Sequence, residues 1–362
     1  MLIKEVPNFT GRRMRRTLQA LSALLLFPLL FTACMEEQED IVTSQEAALS
    51  QQVIELAPAP AKWVNLKGSS EADFDHKAKR ATDAAGPDRG RFNITLKYVV
   101  PVTPEQEAVF EEAAARWERI IIKDVPSFTG TIPSAFTGFP AAVDGTLDDV
   151  VIEVALAPID GPGRVLGSAG PRFVRTEDFL TLSGVMFFDV ADLDFLDELG
   201  LFEEVIVHEM GHVLGVGTLW DVEQFGFPRD LRKAEETNPY FIGRQANVFW
   251  KAEGGTDFLP VENMGGPGTR LSHWRESVLR NELMTGFLNL GENPLSRITA
   301  GSMRDLGWGA AMVGEQYDLP EGAMGVDPDG DEDTMDEDNG DAALHIAERE
   351  TLLYPIGSVT IE

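Results

Sequence analysis

Cysteine is nearly absent from this chain: 362 residues contain one, Cys34. That excludes an internal disulfide, a thiolate-built zinc finger and a CxxC redox site. Histidine is also scarce, with five residues, His76, His208, His212, His273 and His345, so imidazole chemistry must come from a short list. Basic residues are outnumbered, 30 Lys and Arg against 60 Asp and Glu, which gives a formal charge of −30. A surface field of that sign repels phosphate backbones, so no nucleic acid is expected as a partner. What remains is ordinary for a soluble globular protein: 43% hydrophobic and 25% charged residues, enough to bury a sizeable core.

The N-terminus accounts for the single thiol. Lys4, Arg12, Arg13, Arg15 and Arg16 precede an apolar stretch from Leu18 to Ala33. That stretch is too short, and too interrupted by Pro28, for a comfortable membrane span, and it reads as an export signal. It ends in Phe31-Thr32-Ala33-Cys34. This resembles a lipobox of bacterial lipoproteins, with Phe31 where an aliphatic residue is usual, and it predicts a signal peptide over 1–34 with lipidation at Cys34. The expected location is then the outer membrane or cell surface. A plain signal peptide cut near Ala33, giving a secreted protein, is the alternative.

Residues 35–90 are rich in Glu, Gln, Ala, Ser, Asp and Lys, with little sustained periodicity, and read as a tether or pro-segment. Residues 91–310 read as one catalytic domain. The run beginning Phe92-Asn93-Ile94-Thr95-Leu96 alternates as a strand does. Thr103 then caps a helix, with Pro104 at its first position and Gln106 completing a capping box. Val109, Phe110, Ala113, Ala114, Trp117, Ile120 and Ile121 give that helix one apolar face. Further strands are expected at Asp149–Leu156, around Val165–Ser168 and at Val185–Asp189. The predicted class is α+β, a mixed twisted sheet with a backing helix and a smaller, irregular or helical lower lobe.

The chemistry enters at Phe202–Leu214, which contains His208-Glu209-Met210-Gly211-His212, the HExxH pattern. Histidines four apart lie one helical turn above each other, so both imidazoles can reach one Zn²⁺, with Glu209 beside the open position. Val205, Ile206, Val207, Val213 and Leu214 make the helix apolar nearly all round, so it belongs in the core, where unpaired imidazoles would be costly. Zinc needs a third protein ligand. Gly215 has the spacing at which metzincin chains turn out of the active-site helix, but the usual third histidine would fall at Thr218.

Downstream, His273-Trp274 is followed by Glu282-Leu283-Met284-Thr285-Gly286. With the HExxH helix and a long intervening insertion, these motifs resemble the leishmanolysin family of metzincins. The resemblance runs loosely from Phe92 to about Trp308. It implies that His273 is the third zinc ligand and Met284 the methionine of the turn beneath the metal. It also implies a zinc metalloendopeptidase, a hydrolase of protein or peptide substrates in which Glu209 is the general base. The segment Gly167-Ser168-Ala169-Gly170-Pro171 becomes a candidate rim on which a substrate strand pairs, with a plain turn as the alternative. A gluzincin-type glutamate, Glu235 or Glu236, is the rival for the third ligand. Leishmanolysin itself is rich in disulfides, and this chain cannot be.

Residues 311–362 read as an acidic C-terminal tail. The run from Asp327 to Asp341 holds nine acids and no base. Its alternating aspartates could gather Ca²⁺, but Gly330 is misplaced for an EF-hand loop, which favours a solvated linker. Leu344 to Glu362 is expected to return as a short strand or helix. A different class of function stays open: a surface binding protein or adhesin on a protease scaffold, with Ca²⁺ bound through the acidic tail.

Overall fold

The computed structural model describes residues 53–70, 91–328 apart from 236 and 267, and 343–362. Cys34, His76 and the acidic run beyond Pro328 lie outside the described residues. In chain order the elements are β1 (Val64–Gly68), β2 (Ile94–Tyr98), α1 (Pro104–Ile120), β3 (Phe128–Ile132), β4 (Val143–Leu147), β5 (Val150–Ala157), β6 (Gly167–Arg175) and β7 (Thr181–Asp189). Then come α2 (Leu193–Leu199), α3 (Phe202–Leu214), β8 (Arg232–Lys233), β9 (Tyr240–Phe241), α4 (Arg244–Ala252), β10 (Leu259–Pro260) and α5 (Glu276–Leu279). The chain closes with β11 (Phe287–Asn289), α6 (Arg297–Leu306), β12 (Ala343–His345), β13 (Glu350–Leu352) and β14 (Gly357–Ile361).

The main sheet has the order β1-β14-β6-β7-β5-β2, with β13 also paired to β6. β2, β5 and β7 are parallel, β6 runs antiparallel to β7, and β13 and β14 run parallel to β6. This is the mixed α+β architecture the sequence predicts. β5, β6 and β7 are buried along their whole length, as strands covered on both faces are. The helix capped by Thr103 forms as expected: the Thr103 hydroxyl accepts from the Gln106 N–H, and the Gln106 side chain accepts from the Thr103 N–H. α1 buries Phe110, Ala113, Ala114, Trp117 and Ile120 against the core.

Two segments differ from their sequence reading. The compact unit extends from Val53 to Glu362, wider on both sides than 91–310. On the N-terminal side, Val64–Gly68 from the supposed tether pairs with β14 as an edge strand. On the C-terminal side, β12, β13 and β14 from the supposed tail join two sheets. Each strand is three to five residues long and alternates or buries only in its tertiary setting, so periodicity over a longer window could not reveal it. The β3–β4 hairpin and the small β8-β9-β10 sheet were likewise not predicted. Among the described residues no helix is long and apolar enough to cross a membrane.

Candidate metal centre

α3 spans Phe202–Leu214, as the sequence predicts, and packs against α1, β6 and β7. Arg116 of α1 reaches Glu204 in its first turn at 3.1 Å, and Trp117 Nε1 donates to the Val207 carbonyl at 2.8 Å. The far end of the helix is buried, so its last carbonyls need partners. Thr218 Oγ1 donates to the His212 carbonyl, Thr181 Oγ1 to that of Val213 and Trp308 Nε1 to that of Leu214. Thr218, which stands where a third histidine was sought, thus caps the helix. Gly215 takes the left-handed turn at φ 118° that ends it. Gly211, between the two motif histidines, lets Met284 and Trp117 approach: a Cβ there would lie 2.7 Å from Met284 Sδ and 2.8 Å from Trp117 Cζ2.

The inserted segment returns His273 to this helix. Gly217, at φ 72°, is where the chains meet, because a Cβ on it would fall 2.1 Å from the Ser272 carbonyl oxygen. The next residue, His273, then faces His208 and His212. Their three Nε2 atoms stand 3.0–3.2 Å from one another, and all three side chains are fully buried. Each Nδ1 points to a backbone carbonyl: His208 to Leu283 at 2.8 Å, His212 to Val216 at 2.9 Å, and His273 to Thr269 at 3.0 Å. A carbonyl only accepts, so each Nδ1 carries the proton and each Nε2 presents a bare lone pair. Burial pushes the His212 imidazole down to about 3, which keeps it neutral.

A fourth group completes the cluster. Glu350, on β13, places Oε1 3.0 Å from His273 Nε2 and Oε2 3.4 and 3.6 Å from those of His208 and His212. Its side chain has no exposure, and no hydrogen-bond donor reaches either oxygen. Three lone pairs and a carboxylate converging without a proton between them repel one another, and a cation removes the conflict. Zn–N bonds of ~2.0–2.1 Å in a tetrahedron imply N···N edges of about 3.3 Å, close to those observed. His208, His212, His273 and Glu350 thus form a group that can hold a metal ion.

Glu209 is buried beside them with both carboxyl oxygens unpartnered. Burial, and then the charge of Glu350, push its pKa well above the usual carboxylate range. Burial alone would raise Glu350 too, but its interactions with the His273, His212 and His208 imidazoles outweigh it and hold that carboxyl below the usual range. Met284 is fully buried under Gly211. Its turn is fixed by buried Glu282, which accepts from the Met284 N–H at 2.7 Å and from the hydroxyls of Ser296 at 2.6 Å and Thr299 at 2.5 Å.

A family model for leishmanolysin matches residues 120–316, more than half of the sequence. The chain belongs to the leishmanolysin family. A leishmanolysin-like peptidase of Drosophila pseudoobscura pseudoobscura is 47% identical over 154 residues, covering 31% of this chain and 22% of the relative. Those of Drosophila melanogaster and Caenorhabditis elegans are 47% and 45% identical over 49 residues, each match covering 13% of this chain and 7% of the relative. The match thus spans less than a quarter of the length of these relatives.

Within this leishmanolysin-family domain the structure brings together His208, His212, His273, Glu209 and Met284, the residues singled out by sequence. It leaves others apart. Glu235 is exposed, and Glu236 lies outside the described residues. His345 stacks on Phe287 at 3.9 Å and is not one of the residues of the metal group. A second acidic cluster, Asp124, Asp148 and Asp149, has Asp149 accepting from the backbone N–H groups of Val125 and Asn93. The residue that sequence reasoning missed is Glu350. No spacing links it to the histidines, and the one available signal was its place in a returning segment.

Proposed function

We propose that this chain is a zinc-dependent endopeptidase of the leishmanolysin family, with His208, His212 and His273 as metal ligands and Glu209 as general base. The supporting observation is the convergence of three bare Nε2 atoms, each ring fixed through Nδ1, beside a buried glutamate with no other partner. Zinc bound there supplies a Lewis acid that acidifies water and polarises a peptide carbonyl. Glu209 accepts the proton of the attacking water and delivers it to the leaving amine. The low-dielectric walls of α3, the Met284 turn and β6 exclude bulk water and strengthen both roles. The edge of β6 at Gly167–Ala169, which β13 occupies in this structure, would offer backbone groups to an extended substrate once β13 parts from it.

Export and lipid anchoring through Cys34 are part of the same proposal and rest on the N-terminal sequence alone. Palmitate labelling in a bacterial host, absent from Cys34→Ser, tests them.

One observation favours a second reading. Four protein donors close a metal site, as in structural zinc centres, and Glu350 supplies the fourth. A non-catalytic binding protein on a peptidase scaffold would look like this. Metal analysis of the purified chain, with cleavage of a mixed peptide library by wild type and Glu209→Gln, separates the two. The peptidase reading expects one zinc per chain in both proteins and cleavage only in wild type. Equal cleavage by both, or zinc retained after His273→Ala, overturns the assigned roles.

A further inference from the structure

We infer that residues 346–353 form an inhibitory strap. Glu350 fills the position on the metal that water or a substrate carbonyl needs, and β13 fills the β6 edge that a substrate strand needs, so this conformation is a latent form. The inference rests on the peptidase reading and assigns its regulation to the C-terminal segment, which lies beyond the family match.

The path of the segment supports it. β12 pairs with β11, directly after the Met284 turn. The Ala347 N–H then donates to the Gly286 carbonyl, and Thr269 Oγ1 donates to the Ala347 carbonyl. Thr269 is the residue whose own carbonyl holds His273. Two residues on, the Leu166 N–H donates to the Arg349 carbonyl, at the start of β6. Glu350, Thr351 and Leu352 pair with Gly167, Ser168 and Ala169. The segment therefore crosses from the side of the Met284 turn to the sheet edge, and Glu350 meets the three histidines at the crossing.

Each contact takes something a substrate would need. β13 uses the β6 edge at the residues expected to form the rim. Gly170, next along, is at φ 155°, and a Cβ on it would fall 2.0 Å from the Leu353 carbonyl oxygen, so the strap lies against bare backbone. What the strap presents to the metal group is a carboxylate, which is not hydrolysed. The strap is tethered on both sides. β12 holds one end, and β14, seated between β1 and β6 with Val359 fully buried, holds the other. β13 itself is three residues long, with Thr351 exposed, so it can lift while β12 and β14 remain paired.

The test compares full-length wild type with Glu350→Gln, Glu350→Ala and Leu352→Asp, and with Glu198→Gln as an exposed control outside the strap. Zinc content, acetohydroxamate affinity by calorimetry and peptide-library cleavage are measured on each. If the strap is open only a few per cent of the time, releasing it tightens acetohydroxamate binding by about 10- to 100-fold. Glu350→Gln should show that gain with zinc retained and cleavage raised by a similar factor, while Glu198→Gln matches wild type. Leu352→Asp, which leaves Glu350 intact but removes an apolar anchor of β13, should move in the same direction and serves if the Glu350 variants fail to fold. Equal acetohydroxamate affinity in wild type and the folded strap variants overturns the inference. So does loss of zinc from folded Glu350→Gln, which would make Glu350 a permanent ligand. Tighter acetohydroxamate binding without cleavage by any variant supports the strap and overturns the peptidase reading instead.

Discussion

Two buried glutamates meet at one centre, Glu209 from α3 and Glu350 from β13, and the elements that carry them are built differently. α3 is thirteen residues long, buried along most of its length, and its final carbonyls are taken by Thr218, Thr181 and Trp308. β13 is three residues held by a ladder to β6. A long buried helix can move only if the core opens, whereas a three-residue strand between two anchored neighbours can part alone. The comparison shows how a metal centre can have fixed donors and one exchangeable donor drawn from the same chain.

The predictions probe that asymmetry. The largest effect is expected for His212→Ala, which removes a fixed donor: zinc should be absent by metal analysis and cleavage reduced to background. Retention of full zinc would show that the helix is not the permanent half of the centre. Glu209→Gln should keep zinc and lower kcat by about 10²- to 10⁴-fold, the usual range for losing a general base. Gly211→Ala should destabilise the fold by about 1–3 kcal/mol in denaturant titration, because the new methyl meets Met284 Sδ and Trp117. In hydrogen exchange, the amides of Thr351 and Leu352 should exchange well before those of Val207 to Val213; equal protection would place both elements in one cooperative unit. The smallest effect belongs to Met284→Leu, a volume-conserving change in a packing role, expected to cost less than about 1.5 kcal/mol and leave zinc content unchanged.

Much of the rigid half was legible before any coordinates. The boundaries of α3, the capping box of α1 and the positions of β2, β5 and β7 follow from local signals: a 3.6-residue period, a cap, a continuous apolar run. His208, Glu209 and His212 are legible because a helix converts a spacing of four into one face. His273 was reachable only through resemblance, since the insertion before it sets no spacing. Gly217 and Gly211 are required for reasons visible only in three dimensions, namely the approach of Ser272 and of Met284. The strand in 64–68 was not legible, and of the segment after 342 only its return as a short strand or helix was expected, not its three strands or their partners, because short strands are defined by what they pair with and β1 lies far in sequence from β14.

The sequence by itself determined the chemistry available here: a scarcity of thiols and imidazoles, an HExxH helix that must be buried, and a third histidine beside a methionine turn. The first two follow from composition and local periodicity, which act over a few residues, and the third from resemblance to the leishmanolysin family. The tertiary structure decided which donors meet, where the β6 edge is filled, and that Glu350 shares the centre with Glu209. Those depend on contacts between segments more than sixty residues apart, and nothing in local spacing encodes a contact closed by the returning chain.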